Sequence, residues 1–75
     1  MLTVKHITSD RQESVRLAKE VIYAKSPETG KCVVTAWCLD NATLTFDRGM
    51  IYVMNDNGKT VADYELGSDP VAHSN

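Results

Sequence analysis

The sequence predicts a mainly β fold, a small antiparallel meander or a partly closed barrel. Three observations carry this reading. Turn signals recur at short intervals from Lys31 onward, the runs between them are rich in Val, Ile, Thr, Tyr, Phe and Trp, and one alternating pattern threads all of them. The 75 residues hold a single domain over 1–66, because a chain this short buries only about 60% of its unfolded surface and cannot enclose a second core.

The strongest turn signal is Asn57-Gly58, since a type I′ hairpin needs positive φ at both central residues and this pair supplies them at least cost. A two-residue turn there sets Val53 opposite Ala62 and Ile51 opposite Tyr64. Equivalent turns at Asp40-Asn41 and Arg48-Gly49 set Trp37 opposite Leu44, Leu44 opposite Val53 and Phe46 opposite Ile51. At the second of these, a three-residue Asp47-Arg48-Gly49 loop with a bulge is the alternative. The outcome is one meander from Lys31 to Leu66 with a core face of Val33, Thr35, Trp37, Leu39, Ala42, Leu44, Phe46, Ile51, Val53, Ala62, Tyr64 and Leu66. The opposite face carries Cys32, Val34, Ala36, Cys38, Tyr52, Met54 and Val61, too apolar for a face that meets only water.

Ser9 to Lys25 reads two ways. As a helix over about residues 10–25 it has a capping box at Ser9 and Gln12 or at Asp10 and Glu13, and Val15, Leu17, Ala18, Val21 and Ile22 share half the wheel. That helix would pack on a four- to five-stranded antiparallel sheet, an α+β alternative. As strands, Val15, Leu17, Val21 and Tyr23 alternate, and Ser9-Asp10 is a hairpin turn after Leu2 to Thr8. Ser26 to Gly30 is a loop on either reading, and residues 67–75, polar and without periodicity, read as a flexible tail.

Three stretches resemble a group of short uncharacterised proteins carried by tailed phages and prophages of bacteria. They are Met1-Leu2-Thr3-Val4-Lys5-His6-Ile7, Glu13-Ser14-Val15-Arg16 with Ala18, and above all Ile51-Tyr52-Val53-Met54-Asn55-Asp56 followed by Gly58-Lys59-Thr60-Val61-Ala62, Tyr64 and Leu66. The resemblance spans most of the chain and is specific at the C-terminal hairpin. It implies a mostly β fold, because the stretch matching Glu13 to Ala24 is more strand-like in the group, although Ala18-Lys19-Glu20 departs from that pattern. No catalytic or binding residue transfers from it.

Composition narrows function mainly by exclusion. Eight Lys and Arg against ten Asp and Glu give a net charge of −2, which leaves no electrostatic footprint for DNA or RNA. His6, Asp10, Arg11, Glu13, Arg16 and Lys19 interrupt any apolar signal core in the first twenty residues, so a cytoplasmic protein without a membrane span is expected. Cys32 and Cys38, if in one strand, lie about 20 Å apart at ~3.3 Å per residue, whereas a disulfide needs Cα atoms within about 7 Å. They read as free thiols serving as small hydrophobes.

The chemical motifs fail individually. Asn55-Asp56-Asn57-Gly58 suggests a calcium loop, but aligning Gly58 with the loop glycine puts Val53 and Tyr64 at the first and last ligand positions. Cys32, Cys38, His6 and His73 lack zinc-site spacing, and His6 reads as structural. A Cys38–His6 pair is not implied by their positions, and a domain this small rarely encloses a reaction pocket. Asn41-Ala42-Thr43 matches a glycosylation acceptor with no signal peptide to deliver it. Trp37, Tyr52 and Tyr64 could stack on bases only from one exposed face, which the register denies them.

The expectation is therefore a phage-type accessory protein without catalysis or cofactor. It binds a bacterial host protein through Tyr52, Met54 and Val61 and modulates or inhibits it. Self-association in a virion-associated assembly is the alternative reading, and weak nucleic-acid binding the third.

Overall fold

The computed structural model describes residues 1–67. Six antiparallel strands form one sheet: β1 (Leu2–Ile7), β2 (Glu13–Lys25), β3 (Cys32–Cys38), β4 (Thr43–Phe46), β5 (Gly49–Met54) and β6 (Thr60–Leu66). Their order is β4-β3-β2-β1-β5-β6. The fold is all-β, as the sequence predicts, and the helix over about residues 10–25 is overturned because Glu13–Lys25 is a continuous strand. Pairing explains the outcome. β2 supplies the partner of β1 on one side and of β3 on the other, and those ladders outweigh local helix propensity.

The helix-forming Ala18-Lys19-Glu20 falls where β2 changes partner. Ala18 pairs with Leu2 and with Cys38 at once, and the register against β3 then shifts by one residue between Ala18 and Glu20. Such a bulge lets one strand turn the corner between two layers. The N-terminal half of β2 lies with β1, β5 and β6, and its C-terminal half lies with β3 and β4. Ala18 is fully buried at this crossing.

Val4, Ala18, Val34, Ala36, Ile51, Val53 and Leu66 form the core between the layers, with Leu2, Val21, Phe46, Ala62 and Tyr64 packed around them. Two aromatic contacts join the layers: His6 lies 4.6 Å from Phe46 between ring centroids, and Tyr23 stacks on Tyr64 at 4.4 Å. Edges β4 and β6 remain outside any further ladder, so the sheet folds over without closing.

Three hairpins share one loop design. Thr8 and Cys38 each donate their amide to the carbonyl four residues on, at Gln12 and Ala42, and Asn55 does the same to Lys59. The residue ending each three-residue loop has positive φ: Arg11 at 65°, Asn41 at 70° and Gly58 at 77°. The expected two-residue turns at Asp40-Asn41 and Asn57-Gly58 are thus corrected to three-residue loops.

At β3–β4 the extra residue reverses the face of β3. Trp37 pairs with Thr43 rather than Leu44, so Val34, Ala36 and Cys38 point inward while Val33, Thr35 and Trp37 point out. At β5–β6 a second irregularity cancels the first. Val61 is left out of the ladder, and Val53–Ala62 and Ile51–Tyr64 pair as expected.

The Arg48-Gly49 hairpin is also corrected. β4 pairs only with β3, and β5 pairs with β1 and β6, so Phe46–Ile51 and Leu44–Val53 are not ladder partners. Asp47-Arg48 instead carries the chain between layers, and Gly49, at φ 95°, passes so close to β1 that an added Cβ would sit 2.6 Å from the Ile7 carbonyl oxygen. The unbroken meander is β1 to β4, against which the β5–β6 hairpin docks.

Both cysteines are free, Cys38 buried and Cys32 half-buried. The four ion pairs among the described residues, Met1 amino–Asp56, Lys5–Glu13, Arg16–Asp40 and Arg48–Asp47, join exposed or half-buried groups and contribute little each. The tail expected from residue 67 lies, beyond Gly67, outside the described residues.

Candidate functional site

Strand pairing assembles one apolar surface on the outside of the four-stranded layer. Residues directly opposite in a ladder share a face, so each register row can be followed across β2, β1, β5 and β6. One row runs Leu17, Thr3, Met54, Thr60, the next Val15, Lys5, Tyr52, Asp63, and a third Glu13, Ile7, Met50, Glu65. Tyr52 and Met54 are therefore neighbours of Val15 and Leu17 across the single strand β1. Val15 is 57% and Leu17 48% exposed, whereas Tyr52 and Met54 are half-buried by their neighbours.

Of the three residues expected to bind a partner, the structure groups Tyr52 and Met54 and sets Val61 apart. Val61, 53% exposed, is the bulged residue on edge strand β6. The helix reading sets Val15 and Leu17 on its apolar half-wheel, and the strand reading sets them on one face by alternation; that this face is turned outward beside Tyr52 and Met54 follows only from the pairing with β1.

The polar frame is modest. Lys5 lies between Val15 and Tyr52 in its row and pairs with Glu13 at 3.2 Å, and Asp63 flanks Tyr52 on the far side. The surface is thus two apolar pairs, Val15 with Leu17 on β2 and Tyr52 with Met54 on β5, with Thr3 and Lys5 of β1 between them and Glu13 and Asp63 at the margins.

Two shallow clefts flank the bulge of β2. One, of about 270 Å³, is lined by Lys19, Glu20, Trp37, Cys38, Asn41 and Ala42, and the Lys19 ammonium donates to the Asn41 side-chain oxygen across it at 3.2 Å. The other, of about 230 Å³, lies between Val15, Arg16, Leu17 and the loop residues Leu39 and Asp40. Cys38 lines both clefts and His6 lines neither. Cys38 pairs through Ala18 with Leu2, at the opposite end of β1 from His6, a separation of about 13 Å along the strand.

His6 has a structural contact: its Nε2–H donates to the Arg48 carbonyl at 2.8 Å. Among the described residues, no group of three His, Cys, Asp or Glu side chains is placed to hold a metal ion. His73 lies outside those residues.

The three aromatic side chains that could stack on bases, Trp37, Tyr52 and Tyr64, are dispersed. Trp37 points outward, contrary to the core position expected, but on the other layer beside Glu20 and Thr43. Tyr64 points inward against Tyr23, and Tyr52 stands alone on its face.

The acidity of Tyr23 is perturbed. The neighbouring Cys32 thiol, through a side-chain hydrogen bond and its charge when ionised, raises the phenol above its ordinary value, with smaller effects from desolvation and Tyr64. No described helix is long and apolar enough to cross a membrane. No family model, curated protein or solved structure matches this chain.

Proposed function

We propose that this protein is a phage-type accessory protein that binds a bacterial host protein in the cytoplasm and modulates or inhibits it, without catalysing a reaction. Blocking a host defence system is one form this takes. The observation that carries the reading is the outer row structure of Val15, Leu17, Tyr52 and Met54, a solvent-facing apolar surface that the chain's own core does not use. The near balance of charge favours a protein over a polyanion as partner. The resemblance at the C-terminal hairpin supplies the phage context and rests on association alone.

The test is capture from a bacterial lysate by the immobilised full chain and by a Leu17→Glu/Met54→Glu variant whose fold is verified by circular dichroism. The expected result is a host protein retained by the natural sequence and lost with the variant, followed by reconstitution with that protein purified. Equal retention by both, or none by either, rejects this surface as the binding site. Retention of nucleic acid that falls steeply with salt would replace the reading with the nucleic-acid one.

A further inference from the structure

The two outermost strands are blunted in ways that discourage pairing. β4 is only four residues long, and β6 carries the Val61 bulge together with Asp63 and Glu65. A third edge lies inside the strand order. The N-terminal half of β2 pairs with β1 alone, because the β3 ladder begins only at Ala18, opposite Cys38.

Alternate residues of a strand direct their peptide groups to opposite sides. The Leu17 carbonyl accepts the Leu39 amide at 3.2 Å on the side away from β1. Val15 and Glu13, two and four positions away, therefore direct their N–H and C=O groups to that same side. There they meet no strand. Beside these groups stands the 57% exposed side chain of Val15.

We propose that a second copy of this chain pairs with this edge, antiparallel and two-fold about Ser14. Glu13 then faces the partner's Val15, and Val15 faces the partner's Glu13. Each of these two pairs exchanges two backbone hydrogen bonds, so every outward peptide group of Glu13 and Val15 is satisfied. No like charges stand opposite: Ser14 meets the partner's Ser14, and Gln12 meets the partner's Arg16. A two-fold about Val15 would instead require the Leu17 carbonyl already bonded to Leu39, with the Leu39-Asp40 loop in the way. In the Ser14 register the four-stranded layers of two copies join edge to edge, and their outer apolar faces become one surface across the axis. The pairing stands independently of any host protein.

The register can be tested by charge reversal in the full chain. Val15→Glu sets a carboxylate against the partner's Glu13, twice by symmetry, while within its own chain it lies opposite Lys5 and so leaves the monomer folded. Sedimentation equilibrium over a concentration series should show a monomer–dimer equilibrium for the natural sequence, weakened about tenfold or more by Val15→Glu. Adding Glu13→Lys restores opposite charges across the axis and should restore dimerisation. In the natural sequence, amide exchange at Glu13 and Val15 should slow as concentration rises, while Ser14 and Arg16, already bonded to β1, should not respond. A natural sequence that stays monomeric throughout, or a Val15→Glu variant that dimerises undiminished, overturns the proposal. A double variant that remains monomeric overturns the register.

Discussion

The His6 imidazole and the Arg48 carbonyl, 42 residues apart in sequence, are joined by a 2.8 Å hydrogen bond that ties β1 to the link between the layers. The same ring contacts Phe46 of β4. His6→Ala loses one hydrogen bond and one aromatic contact, and the expected cost is about 1–2 kcal/mol. Urea unfolding followed by tryptophan fluorescence measures it, and an unchanged midpoint would deny this residue its joining role.

Gly49 and Gly58 both have positive φ but differ in surroundings. An added Cβ at Gly58 meets open space, so Gly58→Ala carries only the left-handed penalty of about 1 kcal/mol. At Gly49 the same atom strikes the Ile7 carbonyl, which cannot move without disturbing β1. Gly49→Ala should cost at least about 2 kcal/mol, and thermal melts of the two variants side by side check the order.

The inward face of β3 is fixed by the length of the loop that follows it. Val34→Ala removes methyl groups from a fully buried site and should cost about 2–3 kcal/mol, whereas Val33→Ala, on the outer face, should cost under about 1 kcal/mol. The reverse order would place β3 in the alternative register.

Strand content was legible because alternation survives wherever one face is buried, whereas Ile51 pairs with Tyr64 and Val53 with Ala62 as expected only because the Val61 bulge offsets the extra residue of the Asp56-Asn57-Gly58 loop. The face of β3 was not legible, because Asp40-Asn41 signals a turn without stating its length, and one residue decides which side points in. β2 was ambiguous for a related reason. Each of its halves has a ladder on one side only, so Ala18 alone is buried along it and hydrophobic alternation is faint. The binding candidates Tyr52 and Met54 could be read from a hairpin, but their neighbours Val15 and Leu17 required knowing that β1 lies between.

Tyr23 should ionise above the ordinary phenol value of 10.0, chiefly because of the Cys32 thiol beside it. The folded state prefers the neutral phenol, so its contribution is complete below the unfolded value and is lost as pH rises through the higher folded one. Alkaline difference absorbance should resolve Tyr23 as a late-titrating tyrosine, and Cys32→Ala should return it toward the ordinary value. A Tyr23 titration indifferent to Cys32 would contradict the contact.

Among the described residues, four of the five ladders join strands consecutive in the chain, and β1–β5 is the ladder between strands far apart in sequence. The first four strands and the last hairpin can thus each assemble locally, while docking β5 on β1 must close the long loop between them. That docking is the expected slow event of folding, with Asp47-Arg48 as its pivot. At high concentration the β5–β6 hairpin of one molecule faces a choice between its own β1 and a neighbour's, so the connection that organises the two layers is also where exchange of segments between chains would begin.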